Sequence, residues 1–296
     1  MNFEEPVLEL HHGSGVESDE QARNDLRRAR ADMTLPTLDD LLGAYPEFAG
    51  ATCVFMSGSV TMGWGNESSD IDVFVITAEP FPTSESSLLF IEQRVSTADP
   101  VAWIAVGELG AFRADIEIWH EAQVEELIER FGRDADAPGR YRGYNGPFGF
   151  AERELFYRLT AGVPLIGEPW WQERADAILT SDYRLWLAEE VKNAVENRLE
   201  DAVGMLKAED YESAVLAAHQ TLIHSLTALL ATYGDFSQQP KWLYRRLCAY
   251  TPAEVTVPDA WRLLSMAGAY ESPGEWVRAA TDLASRLVLA VEKRMS

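Results

Sequence analysis

An α+β architecture, a small mixed sheet followed by a bundle of helices, is what this sequence predicts, on three observations. Short β-rich runs, "TCVFMSG", "DIDVFVIT" and "VAWIAVGELGAFRADIEIWH", are confined to residues 52–120. From residue 150 onward the apolar spacing turns helical and stays so. Between the two lies "DADAPGRYRGYNGPFG", a Gly/Pro-rich stretch that reads as a connection. The expected division is an N-terminal extension over 1–35, a mixed α/β domain over 36–149 and a helical domain over 150–296.

The extension is polar and irregular, with one helix expected around Asp19 to Met33; "HHGSG" at 11–15 holds too few histidines to be a tag. "TLPTLDDLLGAYPEFAGA" predicts a short helix with Thr37 as N-cap and Leu38, Leu41 and Leu42 on one face. "TCVFMSG" and "DIDVFVIT" predict two buried strands, and "VAWIAVGELGAFRADIEIWH" a hairpin with Gly107 and Gly110 bracketing its turn. "EAQVEELIERFG" predicts an amphipathic helix ended by Gly132. Seven further helices are expected over about 150–162, 169–179, 183–208, 211–232, 240–249, 258–268 and 274–294. The stretch "SAVLAAHQTLIHSLTALLATYG" is apolar nearly all round, so it is expected as the buried central helix of the bundle.

Asp and Glu number 48 against 25 Lys and Arg, a net charge of −23, which repels a phosphate backbone and argues against general nucleic-acid binding. Such a surface is explained first by solubility, and it would also favour a cationic small molecule. No run reaches 18 consecutive apolar residues, so no membrane span is expected, and "MNFEEPVLEL" shows no apolar signal region. Cys53 and Cys248 are far apart and outside any CxxC pair, so both are expected as buried thiols of a cytoplasmic protein. His219 and His224 are five apart and diverge around a helix, which excludes them as a metal pair. Trp170, Trp171, Trp242, Trp261 and Trp276 mostly read as packing between helices, with one of them free to stack on a base or a substrate ring.

The segment "FMSGSVTMGWGNESSDIDVFVIT" poses a physical question. Asp70 and Asp72 share one face of a strand, about 6–7 Å apart at Cα, while Ile71, Val73 and Val75 point the other way. Two adjacent carboxylates repel unless a cation lies between them, and Mg²⁺ is a hard ion suited to oxygen ligands and phosphate. Just upstream, Gly58 and Ser59 open a turn rich in small residues (Gly63, Gly65, Ser68, Ser69) whose N–H groups can cradle phosphate oxygens. A Walker P-loop is excluded, because Trp64 stands where that motif needs Lys.

Strand, Gly-Ser, ten residues and Asp-Ile-Asp at a second strand resembles the signature of the nucleotidyltransferases of the DNA polymerase beta superfamily. The resemblance implies a triphosphate on Gly58 and Ser59, with Ser69 at the same turn. It also implies two Mg²⁺ on Asp70 and Asp72, with a third carboxylate from "FRADIEIWH". Asp115 and Glu117 share a face there. The Arg-x-Asp pattern favours Asp115 as metal ligand, with Glu117 taking the acceptor's proton, and the reverse assignment stays open. "FYRLTAGVPLIGEPWW" and "QQPKWLYRRL" resemble segments of antibiotic nucleotidyltransferases with a helical C-terminal domain. Lys241 and Arg245 stand one helical turn apart, a cationic stripe that reads either as a surface salt-bridge face or as a clamp on the nucleotide's triphosphate. The implied activity is transfer of NMP, from ATP by preference, to a hydroxyl of a small, cationic, aminoglycoside-like acceptor. Its rivals are nucleotidylation of a biosynthetic metabolite, a protein or tRNA, and a catalytically inactive nucleotide sensor.

Overall fold

In the computed structural model the described residues are 34–66, 68–93, 102–131 and 148–295. The expected extension up to residue 33, with its helix, Gly132 and the connection up to residue 147 lie outside them.

The chain enters through α1 (Leu38–Ala44), which starts where Thr37 and Asp40 cap each other reciprocally: Thr37 Oγ1 accepts the Asp40 N–H, and the Asp40 carboxylate accepts the Thr37 N–H. Of its three leucines only Leu41 is buried; Leu38 stays exposed. Strands β1 (Cys53–Ser57) and β2 (Ile71–Thr77) follow, then a short β3 (Ile91–Gln93) that sequence periodicity does not reveal. β4 (Ala102–Leu109) and β5 (Phe112–His120) make the hairpin.

Gly110 supplies its left-handed turn residue, with φ at 61°. Gly107 does not bracket the turn; it lies inside β4. A Cβ there would stand 2.2 Å from the Tyr45 hydroxyl, which donates to Glu108 O and accepts from Glu108 N. The glycine admits a tyrosine rather than a reversal.

α2 (Glu121–Glu129), α3 (Phe150–Ala161) and β6 (Val163–Ile166) come next. The expectation that the pattern stays helical after residue 150 is corrected by β6, which lies between the expected helices 150–162 and 169–179 and pairs antiparallel with β1. The six strands lie in the order β3-β4-β5-β2-β1-β6, with β2 and β5 parallel and the remaining pairs antiparallel. The sheet is therefore mixed, and the fold is α+β.

Six α-helices complete the described residues: α4 (Glu168–Thr180), α5 (Tyr183–Lys207), α6 (Tyr211–Thr232), α7 (Leu243–Tyr250), α8 (Val257–Leu264) and α9 (Pro273–Met295). α8 stops short of residue 268, and just beyond its end Met266 adopts a left-handed backbone with φ at 57°. α6 packs between α5 and α9, and Leu222, Leu226 and Leu229 on it are fully buried. By length and composition α6 alone among the described helices could cross a membrane; 67% of its apolar window is buried inside the protein. His219 Nε2 meets Leu264 O at 2.9 Å and ties α6 to the end of α8. Cys53 is buried, whereas Cys248 is only half-buried.

The period-two alternation of the strands serves two cores. Val54, Met56, Ile71, Val73, Val75, Ile116 and Ile118 face α1 and Phe48. Phe55, Phe74, Ile76 and Trp119 face the helices that follow the sheet. Each such side chain contributes about 1.5–3 kcal/mol when fully buried. Asp72, Asp115 and Glu117 sit on this second, helix-facing side, so the same packing that fixes the sheet decides what stands opposite them.

Candidate functional site

β1 ends at Ser57, and the cross-strand register sets Ser57 opposite Asp72 on β2 and Asp72 opposite Asp115 on β5. Three polar residues thus form a row across three adjacent strands, at the end where β2 begins. Gly58 turns the chain out of β1 with φ at 97°, and a Cβ on it would lie 2.0 Å from Asp72 Oδ2. Only glycine lets that carboxylate stand against the turn. The turn closes on itself: Trp64 N donates to Ser59 O at 2.7 Å, and Thr61 Oγ1 to Gly58 O at 2.9 Å.

Ser59, Trp64, Asp70, Asp72 and Asp115 line one side of a cavity of about 180 Å³. Tyr157, Arg158, Gln239, Lys241 and Trp242 from the helical half line the other. The three aspartates and Lys241 singled out from sequence therefore meet in one place, together with Ser59. Ligand pockets usually run to roughly 300–1,000 Å³, so this space suits a phosphate chain rather than a whole nucleotide.

Other expected site residues fall elsewhere. Gly58 stands behind Asp72 as a spacer. Ser69 Oγ accepts from Asn66 N at 2.9 Å and shapes the turn into β2, outside the cavity lining. Arg245 Nη1 donates to Trp64 O at 3.1 Å, which pins the glycine-rich turn to α7. Arg245 also lies over the Trp242 ring at 5.1 Å, and burial lowers its pKa. Glu117 lies opposite Phe74, two residues along the face from Asp115, and its Oε2 accepts the Trp119 indole N–H at 3.2 Å. It does not line the cavity.

Two arginines meet the carboxylates. Arg113 Nη2 lies 2.6 Å from Asp70 and 3.5 Å from Asp115, on the exposed side of the site. Arg158 Nη1 lies 2.8 Å from Asp72, and its Nη2 3.3 Å from Glu154. Burial, reinforced by Asp70, Asp115 and Glu154, pushes Asp72 up to about 6 against the pull of Arg158. Burial also raises Asp115, with Arg113 opposing and Asp70 adding to the rise.

Among the described residues no three His, Cys, Asp or Glu side chains form a ready-made metal cluster. The carboxylates are turned to arginines instead. The donor set nevertheless fits a hard divalent cation: three carboxylates in one cavity, with Asp115 Oδ1 buried and bound to no hydrogen-bond donor.

Sequence reasoning missed Arg158, Tyr157, Gln239 and the cavity positions of Trp64 and Trp242. The signal for Arg158 was present as Glu154 and Arg158, an i,i+4 pair in "ELFYR". Trp242, read as a packing residue, instead pairs with Trp64 at 5.7 Å between ring centroids and joins the two halves at the cavity.

No protein-family model matches the chain, and no curated protein does. Among solved structures it is similar to a nucleotidyltransferase-like protein from Exiguobacterium sibiricum, with 12% identity, a TM-score of 0.43, and coverage of 86% of this chain and 74% of that one.

Proposed function

We propose that this protein is a Mg²⁺-dependent nucleotidyltransferase that moves NMP, by preference AMP, from an NTP to a hydroxyl of a small cationic acceptor. The observation that carries the reading is the cluster of Asp70, Asp72 and Asp115 in one cavity with Ser59 and Lys241, behind a turn where Gly58 leaves no room for a Cβ. Asp70, Asp72 and Asp115 are the residues that would hold Mg²⁺. When bound there, the ions would lower the pKa of the acceptor hydroxyl and offset the charge that develops on the phosphate oxygens.

The acceptor oxygen attacks the α-phosphorus as the bond to the β-phosphate oxygen breaks, and pyrophosphate leaves with that electron pair. Ser59 and the backbone of its turn orient the phosphate chain, and Lys241 offsets its charge from the opposite wall. Glu117, two residues along the strand face from Asp115 and outside the cavity lining, would receive the proton of an acceptor seated beyond that lining on its side. The net charge of −23 favours a cationic acceptor over a polyanion such as tRNA.

Incubation with each NTP, Mg²⁺ and a panel of amino-sugar, amine-containing and neutral hydroxyl acceptors tests the reading. A product heavier by one NMP, with stoichiometric pyrophosphate, is expected. Nucleotide binding without product from any acceptor would assign the chain to nucleotide sensing instead.

A further inference from the structure

We propose that Arg158 is an exchange cation: it holds Asp72 while the carboxylate site is empty and passes to the nucleotide's phosphates when Asp72 takes a divalent ion. The inference rests on the nucleotidyltransferase reading above and adds to it a phosphate-binding residue outside both expected clusters.

Its position is built rather than incidental. Arg158 projects from α3 with only 16% of its side chain exposed, held from behind by Glu154 one helical turn earlier, itself 10% exposed. Its Nη1 lies 2.8 Å from Asp72 Oδ2 and 3.2 Å from the point where a Cβ on Gly58 would stand. The guanidinium therefore rests on the Gly58–Ser59 turn, and it lines the same cavity as Ser59 and Lys241. Arg245 is engaged with the Trp64 carbonyl, and Arg113 stands 62% exposed at the outer edge. Arg158 and Lys241 are thus the cations that face the cavity from the helical half.

Competition makes the exchange follow. Asp72 Oδ2 cannot direct the same lone pairs at a guanidinium and at a divalent ion, and two cations within contact distance repel. Arg158 keeps its Glu154 anchor and has five N–H donors in a planar fork, a shape that matches phosphate oxygens two at a time. Beside it lies the turn that would carry those oxygens. Release from Asp72 would leave the fork within reach of them, with no backbone rearrangement required.

Calorimetry on the full chain tests this with two probes: Mg²⁺ alone, and α,β-methylene ATP at saturating Mg²⁺. Arg158→Gln should tighten Mg²⁺ about 3- to 10-fold by removing the competing cation. The same variant should weaken the nucleotide analogue about 10- to 100-fold by removing a charge-assisted contact. Arg158→Lys keeps the charge without the fork; it should leave Mg²⁺ within about twofold and weaken the analogue about 3- to 10-fold.

Opposite signs for the two probes support the exchange. Loss of both together would make Arg158 a structural brace, and no change in either would make it a bystander; both results overturn the inference. If Arg158→Gln does not fold, the Lys variant decides alone: selective loss of the analogue supports the exchange, and any other pattern refutes it. A wild-type chain that binds neither probe would overturn the transferase reading, and this inference with it.

Discussion

Asp72→Asn should stabilise the metal-free protein while destroying its activity. Moving a carboxyl from 3.8 to about 6 corresponds to about 3 kcal/mol held against the folded, ionised state, at about 1.36 kcal/mol per tenfold change in proton affinity. Two effects reduce that ceiling. The Asp72 side chain is 24% exposed, so water screens part of the burden. The asparagine also leaves Arg158 with Glu154 and a neutral amide in place of two carboxylates. The expected net gain is about 1–2 kcal/mol.

The sign and the pH window follow from the direction of the shift. A carboxyl raised on folding contributes stability while protonated, and that contribution disappears as pH rises from the unfolded value towards the folded one. The variant should therefore match wild type near pH 4, pull ahead between pH 4 and 6, and hold a constant lead above pH 7. Urea unfolding of both proteins in EDTA at pH 4.5 and pH 8 measures the difference. An Asn variant less stable than wild type at pH 8 would refute the reasoning, because the pair with Arg158 would then outweigh the burial of Asp72.

Gly58→Ala should lose both stability and activity, since its Cβ would stand 2.0 Å from Asp72 Oδ2 at a backbone φ of 97°; a destabilisation of about 1–3 kcal/mol in urea titration is expected. Lys241→Ala should raise the nucleotide Kd about 10- to 100-fold with little change in unfolding midpoint, and an unchanged Kd would make Lys241 a surface residue. Asp115→Asn should abolish transfer at every pH, whereas Glu117→Gln should lose about 10²–10⁴-fold and regain part of it as pH rises. An active Asp115→Asn beside a metal-free, inactive Glu117→Gln would reverse their roles.

What could be read from the sequence was what is local. The Thr37–Asp40 cap, the hairpin and the buried α6 are written in spacings of three, four or two residues, and they appear where those spacings place them. β6 could not be read this way. Its four residues, "VPLI", are too few to show a period, and they become a strand because β1 offers them an open edge. Gly107 was misread for a related reason: glycine marks a turn and a close approach alike, and the tyrosine that needs the space comes from 62 residues earlier.

The site divides along the same line. Asp72 and Asp115 were legible because alternation turns each to the helix-facing side of its strand, and the parallel pairing of β2 with β5 aligns them; Asp70 stands just before β2 and joins them in the cavity. Arg158 reaches Asp72 across 86 residues and Arg245 reaches Trp64 across 181, so neither contact has a local signature. Sequence spacing assigned Arg245 to the nucleotide because it stands one helical turn from Lys241. Tertiary packing turned it to a backbone carbonyl instead.

The central claim is that Asp70, Asp72 and Asp115 form a divalent-metal site for nucleotidyl transfer. Mn²⁺ binding in the presence of α,β-methylene ATP, counted by electron paramagnetic resonance, tests it most directly. Wild type should bind two ions per chain, and Asp70→Asn should lose at least one while its unfolding midpoint stays within a few degrees. A wild-type chain that binds no Mn²⁺ with the nucleotide, or an Asp70→Asn variant that binds the same number as wild type, would contradict the claim.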